Sequence, residues 1–386
     1  MISQTKIKDY LAKLDRSPSR NLISNAIKAR GIEDVSRYYS SYNLHPPTLD
    51  YESGWDADYS LGGSISLAYF IISESKIINN PSFSWLYFWD LMERSNLFLK
   101  SVIGTEGENK INYSNPLSHS FSLNYYSDLF EKYGIVSSEQ MPEVYHCQHR
   151  DELESVLERK LRQSAELLKR FALKNNNLEK HFDKCLNDIF GMLAHSLGTP
   201  NISPEKEKII FENPFKKYEL ITSINLKNSD YGKVKIDEQI IYNIKQDDLL
   251  NILTQAIKSG EPMMCTCETV RGGLKMNCLI SDDYSDFNEA LATCVDLDKT
   301  KRLIYNDISS LGPAVISGGK SKGDNIEIWK LNDKSGDHFV SGDWPTEHIF
   351  LMLVKSELLE NNINNIIIKL KEEDADTLKK ILIIDS

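Results

Sequence analysis

The sequence predicts an α+β fold of two facing lobes, and three observations predict it. Helical periodicity dominates the first half of the chain, and short apolar or β-branched runs split by Gly, Asn and Asp dominate the second. With 386 residues, 41% of them hydrophobic and 26% charged, the chain is large enough to bury one extended core or two lobes. Helices first and strands later is the order of an α+β fold rather than of alternating βα units.

In order along the chain, residues 21–29 have the spacing of a short helix. The stretch SGWDADYSLGGS then reads as a tight turn that feeds the apolar run SISLAYFII, a buried helix over 61–75. A long aromatic helix follows over 85–102, then amphipathic segments over 124–133, 151–171 and 177–196. In the second half TSINL, YGKVKI, PMMCTC, PAVISGG, NIEIWKL and HIFLMLVK read as strands of an antiparallel sheet. The cleft between the two lobes is the expected place for a site.

Composition narrows the partners. A formal net charge of −11 opposes binding to nucleic-acid backbones or anionic membrane surfaces, so the expected partner is a peptide, a protein or a small molecule. The N-terminal stretch is polar and charged throughout, and runs such as LAYFII are too short to span a bilayer, so the expected location is the cytoplasm. Cys147, Cys185, Cys265, Cys267, Cys278 and Cys294 then read as reduced thiols rather than a disulfide framework. No internal repeat or low-complexity linker divides the chain.

Several segments, in one order, resemble bleomycin hydrolase and bacterial aminopeptidase C, the self-compartmentalising branch of the papain-like cysteine peptidases. They are RNLISNAIKARGIEDV, SWLYFWDLMERSNLFLKSVI, LFEKYGIVSSEQMPEVYH and RDELESVLERKLRQSAELLKR. Later come SGEPMMCTCE, KRLIYNDISSLGPAVISGG, NIEIWKLNDKSGDHFVSGDW and HIFLMLVKSELL. The resemblance implies a single papain-like unit over residues 1–386: a helical left lobe mainly within 1–200, an antiparallel β-rich right lobe mainly within 201–355, family-type insertions, and a C-terminal arm over 356–386. It also implies a homo-oligomer, a ring of six subunits, and an arm that runs into the cleft. LKEEDADTLKKILIIDS resembles such an arm, shorter than the family's.

The chemistry of that family needs a thiolate at a helix N-terminus, where the dipole favours the anion, beside an imidazole oriented by an asparagine. The family's motif of serine, glycine, a variable residue, cysteine and tryptophan is met by Ser53-Gly54-Trp55-Asp56-Ala57, which puts Asp56 at the cysteine. No cysteine precedes Cys147, and no glutamine lies between Ser36 and Asp56 to help bind an oxyanion. Gly312 stands at the family's histidine and Asp333 at its asparagine. His338, the next histidine on, reads as part of the following strand and as a poor substitute. Ser120-Phe121 stands where a glycine pair lines the family's substrate groove, and would obstruct a main chain lying there.

These departures lead to the expectation of a catalytically inactive relative whose cleft or surface binds a peptide, protein or small molecule, acting as a regulatory or scaffold protein. The alternative is an enzyme with re-used cleft chemistry, such as amide hydrolysis, amide formation or acyl transfer in specialised metabolism, working through Asp56, Ser60, His119 or Asp333. A structural oligomer component is the third. Asp56 and Asp58 read first as helix N-caps, or with Asp333 as a carboxylate cluster able to recruit a cation. Ser60 or Ser64 near the helix start, with His119 at the groove rim, are candidates for a hydroxyl nucleophile and its base. Cys265 and Cys267 on one strand face, and His146, Cys147 and His149, read as packing and surface groups, so neither a metal nor a cofactor is expected.

Overall fold

The structure is a computed structural model. It describes residues 18–31, 41–43, 47–55, 62–104, 112–118, 121–173, 177–200, 212–226, 231–236, 239–268, 278–280, 297–305, 308, 311–334, 336–359, 367–368 and 372–383, with Lys6 and Lys8. Asp56, Asp58, Ser60, His119, Ser120 and Cys294 lie outside them.

The first half is helical: α1 (Pro18–Arg30), α2 (Gly63–Glu74), α3 (Phe83–Gly104), α4 (Leu123–Tyr133), the single turn α5 (Tyr145–Gln148), α6 (Arg150–Ala172) and α7 (Leu178–Leu197), with the short strands β1 (Ser41–Asn43) and β2 (Tyr51–Glu52) between α1 and α2. Local chemistry sets these limits. The Ser122 hydroxyl caps α4 by accepting from the Tyr125 N–H, and Gly134, at φ 65°, ends it. On α6 the stripe Leu153, Leu157, Leu161, Ala165 and Leu168 is buried, while Asp151 and Glu152 in its first turn and Lys169 and Arg170 in its last suit the helix dipole. α2 is apolar all round and is buried from Gly63 to Ile72, which makes it the central helix of the molecule. The aromatic run of α3 packs inward as expected: Trp85, Tyr87 and Phe88 are buried, and Trp89 stacks on Tyr133 at 3.9 Å.

The second half contains β3 (Tyr218–Thr222), β4 (Gly232–Ile236), β5 (Gln239–Asn243), α8 (Gln246–Lys258), β6 (Met263–Glu268), β7 (Cys278–Ile280), α9 (Lys299–Ile304), β8 (Leu311–Lys322), β9 (Asn325–Asp333), β10 (Gly336–Ser341), α10 (Trp344–His348), β11 (Ile349–Lys355), the single turn α11 (Ser356–Leu359), β12 (Ile367–Ile368) and α12 (Glu372–Ile381). The strands form one sheet in the order β1-β7-β10-β9-β8-β6-β11-β3-β5-β4-β12, with β2 paired to β8. The sheet is mostly antiparallel, as expected, but β7–β10, β3–β5 and β4–β12 pair in parallel. α8, whose Leu249, Ile252, Leu253, Ala256 and Ile257 are buried, is a helix that the strand-rich reading of this half did not separate.

One core joins α2, α3, α4, α6 and α7 to one face of the sheet through Met264, Val315, Phe350, Leu351 and Leu353. A second packs α8, Trp329 and Trp344 on the other face. The α+β expectation holds, and α2 lies between the helices and the sheet. No described helix is long and apolar enough to cross a membrane.

Candidate active site

The N-terminus of α2 is built by close packing. Its N-cap is Gly62, not an aspartate, and no side chain caps it. The Ser66 hydroxyl instead accepts from the Gly62 N–H at 2.6 Å and donates to the Gly62 carbonyl at 2.7 Å. That carbonyl also accepts from Nη1 of Arg150, the first residue of α6, at 2.5 Å. A Cβ at Gly62 would lie 1.6 Å from Arg150 Nη2, so any other residue there requires the guanidinium to move off the Gly62 carbonyl.

Ser64, in the first turn of α2, is buried among charged and phenolic groups. Its Oγ lies 3.0 Å from the Tyr126 hydroxyl and accepts from Arg94 Nη2 at 3.1 Å. Arg94 also donates to the Tyr126 hydroxyl at 3.1 Å and pairs with Asp90 at 2.7 Å, one helical turn earlier on α3. Burial alone would lower the Arg94 pKa, but the Asp90 charge outweighs it and holds the guanidinium firmly protonated. Burial pushes the Tyr126 phenol well up, with the Asp90 charge acting in the same direction. A cavity of about 80 Å³, room for a few water molecules, lies against Ser64, Arg94, Arg150 and Glu154. Burial raises the Glu154 carboxyl.

The C-terminal arm reaches this cavity. The Phe121 N–H donates to the Leu382 carbonyl at 2.8 Å, and Ile383 lines the cavity wall. Phe121 therefore does not obstruct a main chain, as the sequence suggested: its ring is turned inward, 1% exposed and 5.6 Å from that of Tyr126, and its backbone holds the arm.

On the sheet, Gly312 of β8 pairs with Cys267 of β6. Asp333 at the end of β9 meets His338 of β10, as expected a strand residue, with Nε2 3.0 Å from the Asp333 carboxylate. An ionised carboxylate only accepts, so Nε2 carries the proton. Where the resemblance implies a histidine on an asparagine, His338 sits on Asp333. The Cys267 thiol is pushed well up, first by its hydrogen bond with Cys265, then by burial and by the charge of Asp333. Burial also raises Cys147. Both thiols stay protonated near neutral pH, the state of structural rather than nucleophilic cysteines. Cys185 and Cys265 are also free and buried.

The segment entering positions 56–60 is anchored to the same sheet. The Ser53 N–H and hydroxyl both donate to the Ser317 carbonyl, at 2.8 and 3.0 Å. Gly318 lets β2 approach, since a Cβ there would lie 2.8 Å from the Tyr51 carbonyl oxygen. The Ser317 hydroxyl donates to the Asn332 side-chain oxygen, and the Asn332 amide in turn to Asp337.

Sequence reasoning missed the Asp90–Arg94–Tyr126 group, although Asp90 and Arg94 one turn apart in an otherwise apolar aromatic helix are a visible signal. It could not find Arg150 at Gly62, whose positions are 88 residues apart.

The Peptidase C1-like family model matches residues 71–241. Aminopeptidase C of Listeria monocytogenes serovar 1/2a is 23% identical over 348 residues, covering 79% of this chain and 77% of the relative. Aminopeptidase C of Lactobacillus delbrueckii subsp. lactis is 23% identical over 434 aligned positions, covering 98% and 96%. The crystal structure of PepW from Lactobacillus rhamnosis HN001 superposes with a TM-score of 0.71 at 18% identity, covering 98% of this chain and 95% of that one, which establishes the papain-like two-lobe fold.

These relatives overturn the expectation of a catalytically inactive binding protein. They are named aminopeptidases over most of their own length, which supports peptidase function. At such low identity the substitutions at Asp56, Gly312 and Asp333 are facts about positions, and they do not establish that activity is lost. Family model, relatives and fold together support the resemblance to the bleomycin hydrolase and aminopeptidase C family of papain-like cysteine peptidases.

Proposed function

We propose that the protein is a peptidase of the aminopeptidase kind, hydrolysing amide bonds near the amino-terminal end of peptides held beside the N-terminus of α2. The observation that carries this reading is the run of relatives named aminopeptidases.

With aspartate at position 56, this reading takes water or a hydroxyl as the nucleophile. His338, hydrogen-bonded to Asp333, is the imidazole this reading assigns as the base. The imidazole takes the proton of the attacking water and returns it to the departing amine as the C–N bond breaks. Peptide is the partner and no cofactor takes part.

A panel of di- and tripeptides with free and acetylated amino termini, followed by mass spectrometry, tests this. Release of amino-terminal residues from the free peptides is expected, unchanged by iodoacetamide and reduced about 100-fold or more in His338→Ala. Absence of cleavage of every free peptide sinks the peptidase reading; inactivation by iodoacetamide sinks the thiol-free chemistry alone.

A further inference from the structure

At the opposite end of α2 from Ser64, about 15 Å away by the rise of the ten residues to Glu74, a larger cavity opens between the helix and the sheet. Its volume of about 500 Å³ is within the range of small-molecule pockets. Its wall carries three lysines and three glutamates. Each lysine is already paired: Lys355 with Glu261 at 2.8 Å, Lys217 with Glu212 at 2.6 Å, Lys216 with Glu131 at 3.0 Å. The carboxylates of Glu74 and Glu357 have neither hydrogen bond nor ion pair among the described residues.

Tyr218 of β3 gives the second, independent sign. It is 8% exposed and lines the same cavity, yet its hydroxyl makes no hydrogen bond among the described residues. The hydroxyl oxygen is not sealed from solvent, so it is open to a ligand in the cavity that Tyr218 lines. Burial, then the charges of Glu74, Glu261 and Glu357, push the phenol well up. Burial also raises the Glu74 carboxyl. The last turn of α2, which Glu74 ends, adds the negative end of the helix dipole.

We propose that this cavity binds the ammonium group of a small amine, with Glu74 and Glu357 as its counter-charges and the Tyr218 hydroxyl oxygen accepting one N–H. An ammonium has three donors and no acceptor, which matches a wall whose unsatisfied groups are two carboxylates and a phenol oxygen. An anion would find one unpaired donor, the phenol, and lysines already committed to other carboxylates. The site is separate from the Ser64 end of the helix and does not depend on the peptidase reading.

Titration calorimetry with 1,4-diaminobutane, and with 1,4-butanediol as the uncharged match, tests the proposal. Saturable binding of the diamine and none of the diol is expected, at least tenfold weaker in Glu74→Gln and weaker again when Tyr218→Phe is added. Glu357→Gln, at an exposed position, keeps the test open if either buried-site variant misfolds, and should weaken binding by a smaller factor. Equal affinity in wild type and Glu74→Gln overturns the proposal, as does failure of the wild type to saturate by about 10 mM, a concentration at which even a millimolar ligand would be bound.

Discussion

Lys299 is 1% exposed and has no ion pair among the described residues. Its Nζ donates to the Ser223 hydroxyl at 2.7 Å and the Ile349 carbonyl at 3.0 Å, and lies 5.9 Å from the centre of the Phe350 ring. Burial lowers its pKa from 10.5 to about 7, only weakly opposed by the charge of Glu347. The folded pKa is therefore below the unfolded one, and the unfolded chain binds the extra proton between the two. The penalty for burying this amine is complete below pH 7 and fades as pH rises toward 10.5. From pH 7 to 10.5 the linkage amounts to about 4 kcal/mol, taking about 1.4 kcal/mol per pH unit and rounding at both ends. Lys299→Met removes the amine and keeps the length of the stem. Urea unfolding of both proteins at steps from pH 6 to pH 10 gives the difference, in which the other titrating groups cancel. The wild type should gain stability relative to Lys299→Met by roughly 3–4 kcal/mol across that range, with little change between pH 6 and 7. Loss of the hydrogen bonds to Ser223 and Ile349 adds a constant offset and no slope. A difference that stays flat with pH would refute the burial argument.

Further expectations concern the N-terminus of α2. Gly62→Ala forces a methyl into the Arg150 guanidinium and should cost about 2–3 kcal/mol; Arg150→Ala in the same chain should recover part of it, a non-additivity that denaturant titration of the double-mutant cycle will show. Asp90→Asn leaves the buried Arg94 without its counter-charge and should cost about 3–5 kcal/mol, whereas Glu166→Gln, which breaks the exposed pair with Arg170, should change stability by less than about 1 kcal/mol. Equal effects of these two in thermal unfolding would contradict the burial assigned to the Asp90–Arg94 pair.

How far the sequence reaches is visible element by element. The helix expected over 151–171 is found at Arg150–Ala172 and that over 124–133 at Leu123–Tyr133, because a 3.6-residue stripe of Leu and Ala is a local property of the chain. PAVISGG and NIEIWKL fall within β8 and β9 for the corresponding period-two reason, and the ordered segments carried the resemblance. α8 has an equally plain stripe, and only the expectation of strands hid it. Asp56, Gly312 and Asp333 could be read as departures from a motif, but not what each departure does.

What the chain's own order could not disclose are contacts between distant positions. Ser64 meets Tyr126 across 62 residues, Gly62 meets Arg150 across 88, and Leu382 reaches Phe121 only when α12 docks. His338 and Asp333 are five apart, yet the antiparallel register of β9 and β10 is what turns both to one side and makes them a pair. Lys299 has its pKa lowered only because the fold buries it beside Phe350 and Ile349. Periodicity is written in neighbours, so the sequence alone determined the elements and their class. Protonation states and partners depend on which surfaces exclude water, and that was decided only by the packing of α2 between the helices and the sheet.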